Sequence, residues 1–325
     1  MLVGDSMKTD KKEIMRAHDY YTQKKYSEAL MLYDGLINKM RSFPKVFQKE
    51  YAICLQKSMR YKEGALITKN ILKSEPEDTD MLLNMCICLG KLGKHKAALV
   101  YYNRILKIDR TYITEIGYYA YLLGKTKKLK KADHYYRFAL KKEPDNAWYI
   151  SHYAFFLQEQ KKYQEAEVYF KTAMDKEPKN SWVLKRYVYF LYETKGKDAA
   201  YSYCDKLIKN DSLNCNIYIN SAELAIVLSD ADRVLALLNA AEQLENPLVI
   251  DVILLFYWTV YYLCNRDYEK VEENVEKLLK KRKEYTGYIH RDFTDLENYI
   301  SKKNNFYQRI QYHILSDVLR GEKIN

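Results

Sequence analysis

The sequence predicts an all-α protein, an α-solenoid of antiparallel helix–turn–helix repeats. Three observations predict it. Glycine and proline number only 10 and 5 in 325 residues, too few for the many tight turns of an all-β chain. A Glu-Pro motif recurs as Lys73-Ser74-Glu75-Pro76, Lys141-Lys142-Glu143-Pro144 and Asp175-Lys176-Glu177-Pro178, with prolines 68 and 34 residues apart. Small residues fall into two columns of the same 34-residue period, the signature of a repeat array. The hydrophobic fraction, 48%, supplies a large core and excludes a disordered chain.

With proline at position 32, units fall near 10–44, 45–78, 79–112, 113–146, 147–180, 181–214, 215–251 and 252–285. Residues 1–9 read as a disordered or extended N-terminus and 286–325 as C-terminal capping helices. Position 8 reads Ala17, Ala52, Cys86, Ala120, Ala154, Val188, Ala222 and Thr259. Position 20 reads Ala29, Gly64, Ala98, Ala132, Ala166, Ala200, Val234 and Val271. Two small residues twelve apart, on either side of a turn, let two helix backbones cross closely. Position 24 carries Tyr33, Tyr102, Tyr136 and Phe170, bulk that fills the space against the neighbouring unit. Lys24-Lys25-Tyr26-Ser27-Glu28-Ala29 and Lys161-Lys162-Tyr163-Gln164-Glu165-Ala166 are near-identical turn and helix-start segments. After Tyr285 the columns stop. Asp292 or Thr294 serves as N-cap of one helix, and Phe306, Ile310, Ile314, Leu315, Val318 and Leu319 form an apolar stripe ending near Gly321, suited to covering the open end of an array.

These columns resemble the tetratricopeptide repeat family, whose unit follows W-x2-L-G-x2-Y…A-x3-F…P. The unit at 147 matches best, through Tyr153, Ala154, Leu157, Ala166, Phe170, Ala173 and Pro178. Departures are Ala for Gly at position 8, Arg110 and Ser212 where proline is usual, and Val271 at position 20. The resemblance implies a right-handed superhelix whose first helices line a concave groove through positions 2, 5, 6, 9, 12 and 13. Those positions hold Tyr118 and Tyr121, then Trp148, His152 and Phe155, then Trp182, Arg186, Tyr189 and Tyr192, then Asn216, Asn220 and Glu223. Trp148 and Trp182 share one column and are expected to stack along the inner wall. Tyr, Trp and Arg are the side chains that anchor protein interfaces. The candidate partner-binding residues are therefore Tyr118, Tyr121, Trp148, His152, Phe155, Trp182, Arg186, Tyr189, Tyr192 and Asn220. Some members of the family grip a chaperone's C-terminal carboxylate with Lys, Asn and Arg. Here those columns hold Leu83, Ile87, Tyr118, Trp148 and His152, or Ile14, His18, Glu50, Asp80 and Asn84, so that grip is not expected.

No phosphate-loop, zinc-protease, dinucleotide or nucleophile-elbow motif occurs. His290-Arg291-Asp292-Phe293 imitates the start of a kinase catalytic loop, but Glu297 stands where that loop needs Asn. No two histidines are three or four apart, and no cysteines have C-x-x-C spacing. The expectation is a non-enzymatic scaffold or adaptor, without cofactor or metal, that binds a peptide or protein segment in an aromatic-lined groove. The apolar stretch 252–264 is too short to span a bilayer and reads as a buried helix. The first ten residues lack the apolar core of a secretory leader, and the expected location is cytoplasmic. Net charge is +11, concentrated in residues 1–180, with 34 basic against 22 acidic side chains. The alternative reading is thus a basic solenoid binding single-stranded nucleic acid or an acidic partner through residues 1–180. Homo-oligomerisation through the first unit's edge or the aromatic strip is a third kind of partnership open to it.

Overall fold

The structure, a computed structural model, describes residues 2–37, 43–112, 114–285, 289, 291–303 and 306–320. Side chains are described over these ranges except at 2–10, 303, 306, 307 and 320. Ile113, His290 and Gly321, and the side chain of Phe306, lie outside them. Among the described residues there are eighteen helices and no strand. The chain divides into two compact units, Met1–Pro144 and Asp145–Asn325.

The first unit contains four helix pairs. They are α1 (Leu2–Thr22) with α2 (Tyr26–Ile37), α3 (Lys45–Lys57) with α4 (Tyr61–Ser74), α5 (Thr79–Lys91) with α6 (His95–Ile108), and α7 (Ile116–Lys125) with α8 (Leu129–Lys142). The second contains α9 (Ala147–Glu159) with α10 (Tyr163–Lys176), α11 (Ser181–Lys195) with α12 (Lys197–Asn210), α13 (Cys215–Val227) with α14 (Ala231–Glu242), and α15 (Leu248–Asn265) with α16 (Tyr268–Glu284). Two further helices follow, α17 (Thr294–Lys303) and α18 (Phe306–Arg320). Two boundaries differ from expectation. The segment over 1–9 is helical from Leu2, because no proline interrupts it and Gly4 alone is not enough to stop a helix that continues through Lys11, Lys12 and Glu13. The last pair begins at Leu248, immediately after Pro247, which serves as its N-cap residue.

The small columns do what close crossing requires. Ala17, Ala52, Cys86, Ala120, Ala154, Ala222 and Thr259 at position 8 are fully buried, as are Ala29, Ala98, Ala132, Ala166 and Ala200 at position 20. A Cβ added at Gly64 would stand 3.2 Å from Cys88 Sγ. Position 24 reaches the next pair as expected. The Tyr102 ring stacks on Tyr119 at 4.5 Å, and its hydroxyl donates to the Thr114 carbonyl at 2.8 Å. Phe170 meets Tyr187 at 5.9 Å and Phe190 at 5.2 Å.

The turn within each pair is built alike. Position 15 takes the left-handed conformation at Lys24, Met59, Gly93, Lys127, Lys161, Ser229 and Arg266. The amide of the next residue donates back to the position-11 carbonyl, as in Lys25 to Tyr20, Arg60 to Leu55, Lys162 to Leu157 and Asp267 to Tyr262. Position 15 itself donates to position 12, as in Lys161 to Gln158. This double bond pattern is a Schellman closure, here made with glycine in only one unit. The pair α11/α12 departs from it: α11 runs on to Lys195, and Gly196 (φ 88°) turns the chain instead.

Helix α15 is long and apolar enough to cross a membrane by length and composition, and half of it is buried in this fold. Val252, Phe256, Tyr257, Val260 and Leu263 are wholly buried, in one core with Phe293, Leu296 and Ile300 and with Tyr312, Leu315 and Leu319. Helix α18 covers α15 and α16 as a cap, and Gln308 Nε2 donates to the Leu263 carbonyl at 2.8 Å. Helix α17 does something else, described next. None of the six cysteines is in a disulfide. Burial pushes the thiols of Cys54, Cys86 and Cys88 up to about 12 and those of Cys204 and Cys215 up to about 11, which suits packing and not reactivity.

Candidate functional site

Asn146 and Asn180 occupy equivalent places 34 residues apart, and each caps a helix. Asn146 Oδ1 accepts from the Tyr149 amide at 3.2 Å, and Asn180 Oδ1 from those of Trp182 and Val183 at 3.0 and 3.2 Å. The caps set Trp148 and Trp182 in the first turns of α9 and α11. Between the two indoles lies His152. Its ring is 3.7 Å from Trp148 and 4.3 Å from Trp182, with interplanar angles of 18° and 6°. The tryptophans thus stack through an imidazole instead of directly. His152 Nδ1 donates to the Trp148 carbonyl at 2.9 Å, which fixes the ring. Phe155 meets Trp182 edge-on at 6.4 Å. The Arg186 guanidinium lies over both Phe155 and Trp182, at 5.2 and 5.8 Å.

The face continues along α13 and α15, and a segment of the same chain is seated on it. Trp182 Nε1 donates to Asp292 Oδ2 at 3.1 Å. Arg186 Nη2 donates to Asp292 Oδ2 at 2.6 Å and to Asp295 Oδ2 at 2.8 Å. Lys185 Nζ pairs with Glu223 Oε1 at 2.5 Å, donates to the Asp292 carbonyl, and stands 3.8 Å from Asp295. Arg291 donates to Asn220 Oδ1 at 2.6 Å and to the Tyr257 hydroxyl at 2.8 Å, and Tyr257 donates to Glu223. Asn220 Nδ2 in turn donates to the Ser181 carbonyl at 3.0 Å, tying α13 to α11. The other oxygen of Asp292 accepts from the Thr294 amide at 3.0 Å and so begins α17. Phe293, Leu296 and Ile300 then follow at helical spacing and enter the core.

Six charges meet here: Lys185, Arg186 and Arg291 against Glu223, Asp292 and Asp295. Lys185 and Glu223 side chains are 3% and 0% exposed, so each depends on its partners to offset lost hydration. Burial opposes the Asp292 carboxylate, but Arg186, Lys185 and the Thr294 bonds outweigh it and hold the group well below the usual carboxylate range. For Asp295 burial wins over Arg186 and Lys185 and pushes the carboxyl up. Burial also pushes the Tyr189 and Tyr257 hydroxyls far up.

The candidate residues fare differently. Trp148, His152, Phe155, Trp182 and Arg186 form one contiguous cluster. Asn220 joins it through Arg291. The Tyr189 hydroxyl is buried without a hydrogen-bond partner, and Tyr192 is exposed at the far end of α11. Tyr118 and Tyr121 belong to the first unit. Tyr118 is buried there, stacked on Tyr121 at 5.6 Å with its hydroxyl 3.3 Å from the Ile87 carbonyl. It packs between helices because Gly90 leaves room for its ring: a Cβ at Gly90 would lie 2.1 Å from the hydroxyl oxygen.

Sequence reasoning passed over Lys185, Tyr257, Arg291 and Asp295, and it gave Asp292 only a capping role. The available signal was two adjacent cations in mid-helix among apolar residues, together with Asp292 and Asp295 one helical turn apart beyond the repeats. Arg291-Asp292-Phe293, the kinase-like string, supplies two polar anchors and one core side chain.

Residues 157–214 match the model of the tetratricopeptide repeat family, and residues 20–112 match that of the coatomer epsilon subunit. No curated protein matches the sequence. Among solved structures, a tetratricopeptide repeat protein from Parabacteroides merdae superposes with a TM-score of 0.55 at 14% identity, covering 76% of this chain and 98% of that one. A thermophilic protein of the same repeat class from Thermus thermophilus gives 0.45 at 16% identity over 56% and 98%. MamA from Desulfovibrio magneticus gives 0.42 at 15% over 50% and 92%. The fold is an all-α array of helix–turn–helix repeats. Residues 157–214 carry the tetratricopeptide repeat signature, and the fold is that of a tetratricopeptide repeat protein.

Proposed function

We propose that this protein is a non-enzymatic, cytoplasmic adaptor, and that the first-helix face of α9, α11 and α13 holds a segment of a protein partner. One observation carries the reading. The Trp148–His152–Trp182 stack, with Arg186 across it, sits on a face that already accepts a segment from outside the repeats. Rigid aromatic rings and a planar guanidinium give large contact area at little entropic cost, which is what interface anchors need. Neither cofactor nor metal enters the proposal. The test is affinity capture from the native host with the whole chain and with Trp148→Ala/Trp182→Ala. Partners retained by the wild-type chain are expected to be lost by the double variant while its melting stays cooperative. Recovery of the same partners by both would remove the site.

A second reading attaches to the first unit. Its match to a coat-subunit model over 20–112 supports a place in a vesicle-associated assembly. Co-sedimentation of the chain with coated membranes tests it, and a chain left wholly in the supernatant would end it. The stacked indoles lie in the unit with 25 basic and 27 acidic side chains, and the basic excess lies in the other. That division favours a protein segment over a single nucleic-acid strand as the aromatic face's ligand.

A further inference from the structure

We propose that residues 291–295 act as an internal competitor for the first-helix face of α11 and α13. The external ligand of that face is then a protein segment presenting a carboxylate beside an aromatic side chain, with a second carboxyl group one helical turn on. This deepens the reading above and rests on it.

The charge balance defines the ligand. With the segment seated, three cations meet three carboxylates. With Arg291, Asp292 and Asp295 lifted away, the face keeps Lys185, Arg186 and Glu223 and is left with one net positive charge, while the segment leaves with one net negative charge. Arg186 is 5% exposed, so an apolar segment laid over it would strand a guanidinium without a counter-ion. A phosphate backbone would face Glu223, which is fully buried between Lys185 and Tyr257. A side-chain carboxylate fits both demands. It takes the Trp182 indole and the Arg186 fork at once, as Asp292 Oδ2 does.

The seated segment also leaves the site incompletely matched. Arg186 Nε and the Tyr189 hydroxyl are closed off from water with no hydrogen-bond partner. Both are donors, and a ligand with a further carboxylate oxygen would satisfy them. The tether gives the internal segment a high effective concentration at the face. An external ligand then meets a face that is open only part of the time, and its apparent affinity falls by that fraction.

The probe is a synthetic peptide with the sequence of residues 289–301, and a second peptide with Asn at both aspartates. Full-length chain is compared with the variant Asp292→Ser/Phe293→Ala/Asp295→Ser, whose own segment can no longer hold. The wild-type peptide is expected to bind the variant at least tenfold more tightly than it binds the wild-type chain. The Asn peptide is expected to lose at least tenfold. A cooperatively melting variant that ignores the wild-type peptide, or takes both peptides equally, overturns the proposal. Should the variant fail to fold, hydrogen exchange of the wild-type chain decides. Excess wild-type peptide is expected to release protection across 294–300, and unchanged protection at saturating peptide overturns the proposal. If the peptide fails while the variant still captures host partners that need Trp148 and Trp182, the acidic ligand is wrong and the scaffold reading stands. Loss of both removes both.

Discussion

The two compact units use one repeat and treat buried charge in opposite ways. In residues 1–144 there are 29 basic and 16 acidic side chains, and the ion pairs near the first-helix face close within a pair or between neighbouring pairs. His18 and the Tyr33 hydroxyl both meet Glu50, one unit on, and Lys49 meets Glu75 and Asp78 at 2.5 Å each. In residues 145–325 Arg186 of α11 finds its carboxylates more than a hundred residues downstream, and Lys185 beside it pairs with Glu223 and stands 3.8 Å from Asp295. A repeat array is held by neighbour contacts. Where a column carries two adjacent cations, Lys185 and Arg186, one neighbouring carboxylate is not enough, and the chain must return to supply more. The difference teaches that the period says which side chains face inward, and the charge left over says whether something must cover them.

The largest effect should fall on Glu223. Glu223→Ala leaves Lys185 buried with only the Asp292 carbonyl and a carboxylate 3.8 Å away. The expected loss is about 3–5 kcal/mol in urea unfolding. Glu50→Ala in the first unit removes a carboxylate whose partners are a tyrosine hydroxyl and a histidine, and should cost only about 1–3 kcal/mol. Equal losses would break the contrast drawn between the units.

A glycine series sharpens it within the first unit, where packing and not charge sets the tolerance. Gly90→Ala would push Tyr118 out of a buried slot and should cost about 1–3 kcal/mol. Gly64→Ala meets the Cys88 sulfur at 3.2 Å and should cost less. Gly35, inside α2 with nothing within 4 Å, should gain about 0.5–1 kcal/mol as alanine. Thermal melts of the three variants rank them, and a stabilised Gly90→Ala would mean that Tyr118 is not packed as described.

Most of the fold was legible because its causes are periodic. Ala154 and Ala166 mark a close crossing wherever they stand, and Pro178 marks the end of a helix pair. The Trp148–Trp182 column was legible for the same reason. His152 between the rings could be placed on the face but not in the stack, since stacking depends on rotamers. The left-handed backbone at Lys127 and Lys161 was not legible, because lysine carries no sign of positive φ as glycine does. Asp292 and Asp295 were out of reach for a different reason. Nothing periodic links position 292 to position 186. Their trace was a charge excess on α11 and two aspartates one turn apart beyond the repeats, which become informative once the burial of Arg186 is known.

The finest test is acidification, because the two aspartates oppose each other. Docking of α17 on α13 changes the surroundings of both carboxyls. Asp292 is held low when docked, so its contribution is present at neutral pH and is lost as pH falls below the ordinary carboxylate range. Asp295 is pushed up when docked, so the docked state takes up a proton first. Its charge disfavours docking at neutral pH, and that penalty lifts as pH falls from its raised value towards the ordinary one. Asp292 and Asp295 hold the Arg186 guanidinium charged against its burial. Docking is therefore expected to strengthen slightly on mild acidification and then to fail below the ordinary range, read through the fluorescence of Trp182 beside Asp292. Asp295→Asn should remove the rising limb and leave the falling one. Asp292→Asn should remove the falling limb and weaken docking at neutral pH. A single monotonic loss from pH 7 downward, unchanged by Asp295→Asn, would show that the two carboxyls do not divide the work in this way.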